Sequence, residues 1–105
     1  METNSVKGTQ FKLNINMPAI EGYSLKTIEW EVKVFTDTST KSITIQKKDA
    51  IEEDADNYVI LVDSAECGAG RYFVTLTAHI PDADFPNGKR IERKTVFTGV
   101  TIDPR

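Results

Sequence analysis

Apolar and polar residues alternate with a period of two along several short stretches of this chain. Every second residue is apolar in the first stretch, at Phe11, Leu13, Ile15 and Met17. The pattern recurs at Ile28, Trp30, Val32 and Val34, and more briefly at Ile43 and Ile45. Because successive side chains of a strand point to opposite faces, each stretch predicts a strand with one buried face.

The longest β-patterned region runs from Cys67 to Ile102 and predicts a hairpin. In its first strand one face carries Tyr72, Val74, Leu76, Ala78 and Ile80, and the other carries Phe73, Thr75, Thr77 and His79. Pro86-Asn87-Gly88 supplies the turn. The return strand begins with Lys89, Arg90, Glu92, Arg93 and Lys94 and ends with Val96, Phe97, Val100 and Ile102. We therefore expect its charged half to project beyond the core and its apolar half to pack.

The remaining segments carry weaker signals. Residues 1–9 are polar, and we expect them to be frayed or, at most, to add an edge strand. Residues 47–57 are the one place where a helix could form. Because the stretch is short and lacks an apolar stripe, we expect a single turn at most. Tyr58–Val62 is almost continuously apolar and predicts a central strand buried on both faces. SAECGAG, which follows, is predicted to be a loop.

Short strands with turn signals between them predict an all-β fold, an immunoglobulin-like antiparallel β-sandwich of about seven strands. The whole chain, 1–105, forms one domain of this kind, because no change in composition divides it. Trp30 lies mid-strand, where its ring can fill the space between two sheets. Tyr72 follows a glycine-bearing loop at the start of the penultimate strand, the place of a tyrosine corner. Cys67 is the one cysteine, so the antibody-type disulfide is excluded.

Charge and composition narrow the function. The formal net charge is −3, whereas nucleic-acid binders normally concentrate Lys and Arg, so we expect no nucleic-acid partner. No apolar run reaches the roughly 20 residues of a membrane span, and no signal-peptide core is present in the first residues, so we expect no membrane partner. We also expect no cofactor, since no nucleotide-binding or zinc motif occurs.

Catalytic chemistry has one candidate pair, Cys67 and His79. A thiol nucleophile needs its base within hydrogen-bond reach. Seven strand residues separate Tyr72 from His79, roughly 23 Å at the rise of a strand, so the pair cannot meet within one chain. We therefore expect that the protein is not an enzyme.

Three features of the sequence resemble binding patterns. The segment 82–88 opens like a calcium loop, but Pro86 and Arg93 occupy positions where ligands are needed, and the acidic run 52–56 lacks ligand spacing, so we expect no metal. Tyr23, Phe35, Phe73 and Phe85 are candidate exposed aromatics for sugar binding. The basic run 89–94 fits an acidic partner or a phosphate, or a strand edge charged against pairing.

The order of several segments resembles the Ig-like amino-terminal domain of baseplate upper proteins and related fibre proteins of tailed phages and prophages. The segments are FKLNINM, WEVKVFTD, the G-x-G-x-Y entry at 68–72 and the hairpin tip IPDADFPNG at 80–88. The resemblance covers roughly residues 10–102. It implies a structural module that anchors or assembles fibres and has no enzymatic residues.

This resemblance leads to the functional prediction: a non-enzymatic structural protein of the virion, made in the host cytoplasm. Its expected partners are other virion proteins or copies of itself, with a homo-oligomer possible. We expect contact at strand edges and at the hairpin tip, through Asp82, Asp84, Phe85 and Pro86, because a loop tip with one large apolar residue can anchor in a pocket. The alternative is an adhesion or carbohydrate-binding module on a bacterial cell surface.

Overall fold

The computed structural model describes residues 3–6, 8–17 and 22–103, and it is built almost entirely of strands. These are β1 (Thr3–Val6), β2 (Gln10–Asn16), β3 (Glu29–Thr36), β4 (Ser42–Gln46), β5 (Ile51–Asp54), β6 (Asn57–Asp63), β7 (Gly70–Pro81) and β8 (Lys89–Asp103). Two short helical turns interrupt them, a 3₁₀ turn at Lys47–Asp49 and α1 at Ser64–Cys67. The prediction of an all-β chain is confirmed.

The strands form two sheets. One has the order β1-β8-β7-β3-β4 and the other the order β2-β6-β5. Neighbouring strands are antiparallel except for β1 and β8, which pair in parallel through Val100–Asp103. The two sheets pack face to face, so the predicted immunoglobulin-like sandwich is confirmed. Of the two alternatives for residues 1–9, the structure has an added edge strand at Thr3–Val6, while residues 1, 2 and 7 lie outside the described residues.

The core lies between the sheets, and the alternating pattern selects its members. Trp30 is 1% exposed. Its ring packs edge-to-face against the ring of Tyr58 from the opposite sheet, with 5.0 Å between the ring centroids. Its indole nitrogen donates a hydrogen bond of 3.0 Å to the Leu25 carbonyl oxygen, which leaves the buried indole N–H satisfied. The buried apolar side chains are Leu13, Ile15, Met17, Leu25, Ile28, Trp30, Val32, Val34, Tyr58, Ile60, Val62, Cys67, Tyr72, Val74, Ala78, Ile80 and Ile102.

A tyrosine corner joins α1 to β7, as predicted. The Asp63 carboxylate caps the helix by accepting from the Ala65 N–H at 2.9 Å, and Gly68 ends it with a φ of 90°. The hydroxyl of Tyr72 donates to the Gly68 carbonyl oxygen at 2.6 Å. The region 64–67 was predicted as loop; the aspartate at its start and the glycine after it are the local signals for one helical turn.

Two other expectations need correction. Residues 47–57 hold the expected single turn but also the strand β5, whose four residues are all exposed, so that no apolar face marked it. β6 is central in its sheet but is buried on one face alone, because the described residues supply no layer on its outer side. Leu61 on that side is 58% exposed. A proline cannot donate to a strand ladder, so the sequence predicts that Pro18 ends the first strand. Pro18 lies outside the described residues, and β2 ends at Asn16.

Candidate functional site

The hairpin tip between β7 and β8 is a compact double turn. The N–H of Asp82 bonds to the Gly88 carbonyl oxygen at 2.9 Å, and the N–H of Gly88 bonds to the Phe85 carbonyl oxygen at 2.8 Å. Gly88 has a φ of 73°, a left-handed conformation that glycine adopts at little cost. The tip is therefore a defined surface that holds the side chains between the two strands.

Asp82 supports the tip from within. Its carboxylate accepts from the Asp84 N–H at 3.0 Å and from the Arg90 guanidinium at 2.6 Å, and Arg90 also donates to Glu92 at 2.8 Å. The side chains of Asp82 and Arg90 are 17% and 23% exposed. Since both oxygens of Asp82 already have donors, we assign this residue to shaping the tip rather than to direct contact.

The other three predicted contact residues face solvent. Asp84 and Pro86 are exposed, and the ring of Phe85 is 45% exposed between them. A large apolar ring among polar neighbours is the usual composition of a protein contact point. The structure therefore places Asp84, Phe85 and Pro86 where a partner can reach them.

The outer edge of β8 is a second surface, and along most of its length no described strand lies beside it. On its inner side β8 pairs with β7 from Lys89 to Phe97. On its outer side the described residues supply only β1, which begins opposite Val100. The part of β8 that pairs with β1 is separated from the rest of the strand by a bulge. There Gly99 has a φ of 85°, and the single residue Tyr72 of β7 faces the segment 98–100. The segment Lys89–Phe97, here called the free β8 edge, therefore has no neighbouring strand on its outer side among the described residues. The side chain of Arg90 within it is held by Asp82 and Glu92.

Exposed apolar side chains accompany the charges on the free β8 edge. Ile91 and Phe97 are each 50% exposed and Val96 is 41% exposed, while Lys89, Arg93 and Lys94 are also exposed. The apolar half of the strand was expected to pack, and Ile102 is buried as expected. Phe97, however, points outward, and Val96 faces a side of the sandwich that the smaller sheet leaves open. The charged half was expected to project beyond the core. It lies instead beside Leu76–Pro81, as the border of the larger sheet.

An aromatic row crosses the outer face of the larger sheet. The rings of Phe35 and Phe73 are stacked at 5.7 Å with an interplanar angle of 18°, and Phe97 follows Phe73 at 5.3 Å. Cross-strand pairing puts these three residues opposite one another. Because the rings of Phe35 and Phe73 face each other, they present edges to solvent, and Phe97 at the sheet border has the most accessible ring.

A groove runs along the open side of the sandwich, between β2 and the free β8 edge. One section, about 390 Å³ in volume, is lined by Leu13, Ile15, Val74, Val96 and Val100 among others. The adjoining section reaches Leu76 and Lys94. The groove exists because β2 is the border of the three-stranded sheet and no described strand lies beside it.

The thiol and the imidazole stand in unrelated environments. Cys67 is fully buried, its Sγ lies 3.8 Å from the Val34 carbonyl oxygen, and burial raises the pKa of the thiol, with a further contribution from Glu66. A nucleophilic cysteine needs the opposite shift and access to substrate. His79 lies near the far end of β7, where its Nε2 is 2.8 Å from a carboxylate oxygen of Glu31. The structure does not bring the two together.

The acidic segments serve local structure. Asp54 accepts from the side-chain amide of Asn57 and the N–H of Asp56, which lowers the pKa of its carboxyl, and Glu53 lies 3.3 Å from the Asn14 amide. Within the described ranges no three His, Cys, Asp or Glu side chains cluster as metal ligands would. Glu52 pairs with Lys26 at 3.3 Å.

Comparison of the chain with protein-family models, with curated proteins and with solved structures finds no match in any of the three. The helical turns in the described part of the chain are three and four residues long, far short of a helix that could cross a membrane.

Sequence reasoning identified the tip and expected contact at strand edges, but it did not identify which edge is open. Ile91 and Phe97 differ by an even number of positions, so strict alternation puts them on the outer face together with Arg93. That signal was present in the sequence. The sequence pattern does not show which strands lie side by side, because strand neighbours are decided by the topology of the fold.

Proposed function

We propose that this protein is a non-enzymatic structural module of a phage or prophage virion, acting in assembly or fibre attachment by docking on other virion proteins or on copies of itself. The observation that carries the docking function is the free β8 edge together with the exposed tip. An unpaired strand border that also exposes Ile91, Val96 and Phe97 is suited to adding a strand from another chain.

The virion assignment is supported by the resemblance of the chain to the Ig-like domain of baseplate upper and fibre proteins. Two of the segments that carry it, WEVKVFTD and the tip IPDADFPNG, correspond to β3 and to the exposed double turn. In such a protein the tip would seat Phe85 in an apolar pocket of a partner, with Asp84 and Pro86 at the rim. Asp82 and Arg90 would hold that conformation in the free protein, which lowers the ordering cost on binding.

The test is localisation in particles. Antibody against the purified chain is applied to particles released from cells that carry the gene, with immunogold electron microscopy and mass spectrometry of the purified particles as readouts. We expect the chain in the particle fraction and label at one structural position. Expression of the chain in cells whose purified particles lack it would overturn the virion proposal.

A second experiment tests the tip. Particles assembled with Phe85→Ser are compared with particles carrying Asn87→Ser, a substitution in the same turn. We expect Phe85→Ser to reduce incorporation of the chain or of its fibre by roughly tenfold or more, as for a central apolar anchor, and Asn87→Ser to leave incorporation near normal. Equal incorporation of both variants would remove the tip from the proposal.

The second candidate function is a carbohydrate-binding or adhesion module of a cell surface. The observation that favours it is the aromatic row Phe35, Phe73 and Phe97, since sugar rings stack on exposed aromatic faces. The stacked geometry leaves mainly the ring of Phe97 accessible, which is less than a flat platform needs. Binding on a glycan array that is lost in Phe97→Ala would establish this function in place of the first.

A further inference from the structure

The borders of the two sheets differ in charge. On the free β8 edge the exposed charged residues are mainly basic: Lys89, Arg93 and Lys94, with Glu92 as the acid among them. The border strand of the smaller sheet, β5, reads Ile-Glu-Glu-Asp from Ile51 to Asp54, and all four residues are exposed. Its outer side has no partner strand among the described residues. Of the described strand borders whose side chains are placed, β5 is the acidic one.

We infer that the free β8 edge of one copy pairs with β5 of a second copy, which joins the larger sheet of one molecule to the smaller sheet of the next. This inference deepens the proposed assembly function and rests on it. A strand added at an open border satisfies backbone donors and acceptors, and the side chains decide which strand is accepted. Here the selection is by opposite charge.

Side-chain positions favour an antiparallel arrangement. Ile91 and Ile51 each carry about half of their surface exposed, 50% and 49%, and each points to the outer face of its own sheet. If these two lie opposite each other in antiparallel strands, Glu53 falls opposite Lys89. Asp49, in the 3₁₀ turn that precedes β5, then lies toward Arg93. In parallel strands the same contact would set Glu53 opposite Arg93 but also Glu52 opposite Glu92, a like-charge pair that the antiparallel arrangement avoids. Opposite charges on facing positions stabilise a strand pair and like charges destabilise it.

The same charges disfavour symmetric dimers. Two free β8 edges related by a two-fold axis through their middle, residue 93, would bring Arg93 against Arg93 of the other copy on the outer face. That face of the edge carries no acid, because Glu92 points to the other face, where it would lie opposite Lys94. Two β5 strands would bring acid against acid. The contact is therefore head-to-tail, and contacts of that type form rings if the rotation closes and filaments if it does not. A strand pair of about four residues is short, so each contact is weak alone and becomes effective when several act together.

The first test is sedimentation velocity on the intact 11.7 kDa chain. The concentration runs from roughly 10 µM to 1 mM, the range in which weak contacts are populated. Three proteins are compared: the natural chain, Lys89→Glu/Arg93→Glu and Asp49→Lys/Glu53→Lys. We expect the natural chain to associate with rising concentration and less so in 0.5 M salt, and each variant alone to associate roughly tenfold more weakly or not at all.

Mixing the two variants is the decisive arm. Each variant then carries borders that match the other, so the mixture should recover association that neither shows by itself. Lys12→Glu/Lys41→Glu is the matched control for the β8 variant, because it makes the same change in net charge as Lys89→Glu/Arg93→Glu at exposed residues outside the two borders. Circular dichroism and thermal melting check that all variants fold.

A cross-link reports the register. A mixture of Ile51→Cys and Ile91→Cys should form a disulfide-linked dimer on oxidation, whereas the control mixture of Leu61→Cys and Ile91→Cys should not. Cys67 does not compete, because it is fully buried. A natural chain that stays monomeric throughout the concentration range, or a mixture that does not recover association, would overturn the inference.

The two proposals fail separately. A chain found in particles but monomeric in solution, with no cross-link, leaves the virion proposal intact and removes the head-to-tail contact. A chain that associates through these borders but is absent from particles retains the contact and removes the virion role.

Discussion

The hydroxyl of Tyr72 lies 2.6 Å from the carbonyl oxygen of Gly68, the residue that ends α1. The same hydroxyl lies 3.5 Å from the Ser64 carbonyl oxygen, at the start of that helix. Tyr72 is fully buried. One side chain thus joins the turn between β6 and β7 to the core, and the neutral phenol is the form that can donate there.

Removing this hydroxyl should destabilise the fold. In Tyr72→Phe the ring still fills its place, but the Gly68 carbonyl oxygen loses its donor, and we expect a loss of about 1–2 kcal/mol in the free energy of unfolding. Urea denaturation followed by tryptophan fluorescence measures it. Tyr23→Phe is the control, since its hydroxyl has no hydrogen bond within the described part of the chain. Equal stability of Tyr72→Phe and the natural protein would refute the role of this bond.

Stability should also fall at alkaline pH because of the same group. Burial raises the pKa of Tyr72 from the ordinary 10.0 of a tyrosine to about 12, with contributions from Cys67 and Asp63. A group with a raised folded-state pKa contributes its full stabilisation below the unfolded value and loses it as the pH rises. We expect the loss between about pH 10 and pH 12. Chemical denaturation at several pH values should show a shallower decline in Tyr72→Phe, with a remaining slope from Tyr58 and Cys67, whose pKa values are also raised.

Gly70 should not tolerate a side chain. Its φ is 129°, and a Cβ there would lie 2.5 Å from the Thr38 hydroxyl and 2.8 Å from an Asp37 carboxylate oxygen. Neither neighbour can easily withdraw, because Thr38 donates to the Ala69 carbonyl oxygen and Asp37 accepts two bonds from Arg71. We expect Gly70→Ala to cost roughly 2–4 kcal/mol in thermal or urea unfolding.

Gly99→Ala is the matched control for that substitution. Gly99 also has a positive φ, 85°, but nothing lies within 4 Å of a Cβ built there. It should therefore cost about 1 kcal/mol, from backbone strain alone. A cost for Gly70→Ala no larger than that of Gly99→Ala would show that the close approach to Thr38 and Asp37 does not matter.

The tip should loosen when Asp82 is removed. Its carboxylate holds the Asp84 N–H and the Arg90 guanidinium, so Asp82→Ala should speed amide hydrogen exchange within 82–88 by roughly tenfold or more, since bonds to charged groups contribute about 1.5–3 kcal/mol. Exchange in the core strands should change little. Asp84→Ala, which keeps that carboxylate, should leave the exchange of the tip nearly as it was. Indistinguishable exchange in the two variants would contradict the assignment of Asp82 to shaping the tip.

Local pattern was sufficient for much of the fold because the side-chain period of a strand is short. Alternation at 11–17 and 28–34 identified two strands with their buried faces, and Trp30 and Tyr72 were placed correctly by their positions in those patterns. The sequence did not predict β5, because all four of its residues are exposed and no alternating apolar pattern marks the strand. The sequence did not predict α1 either, because a single helical turn is too short to show the 3.6-residue periodicity of apolar side chains.

From the sequence alone come the strand character of the chain, the identity of most core residues, the corner at Tyr72 and the position of the tip, since each depends on residues near one another along the chain. The tertiary structure alone decided which strands are neighbours. That choice left the β8 border open from Lys89 to Phe97, covered only one face of β6, and turned the Asp82 carboxylate toward Arg90. These features depend on which surfaces the sandwich covers. Whether a strand distant in sequence covers a given residue cannot be read from the residues around it in the chain.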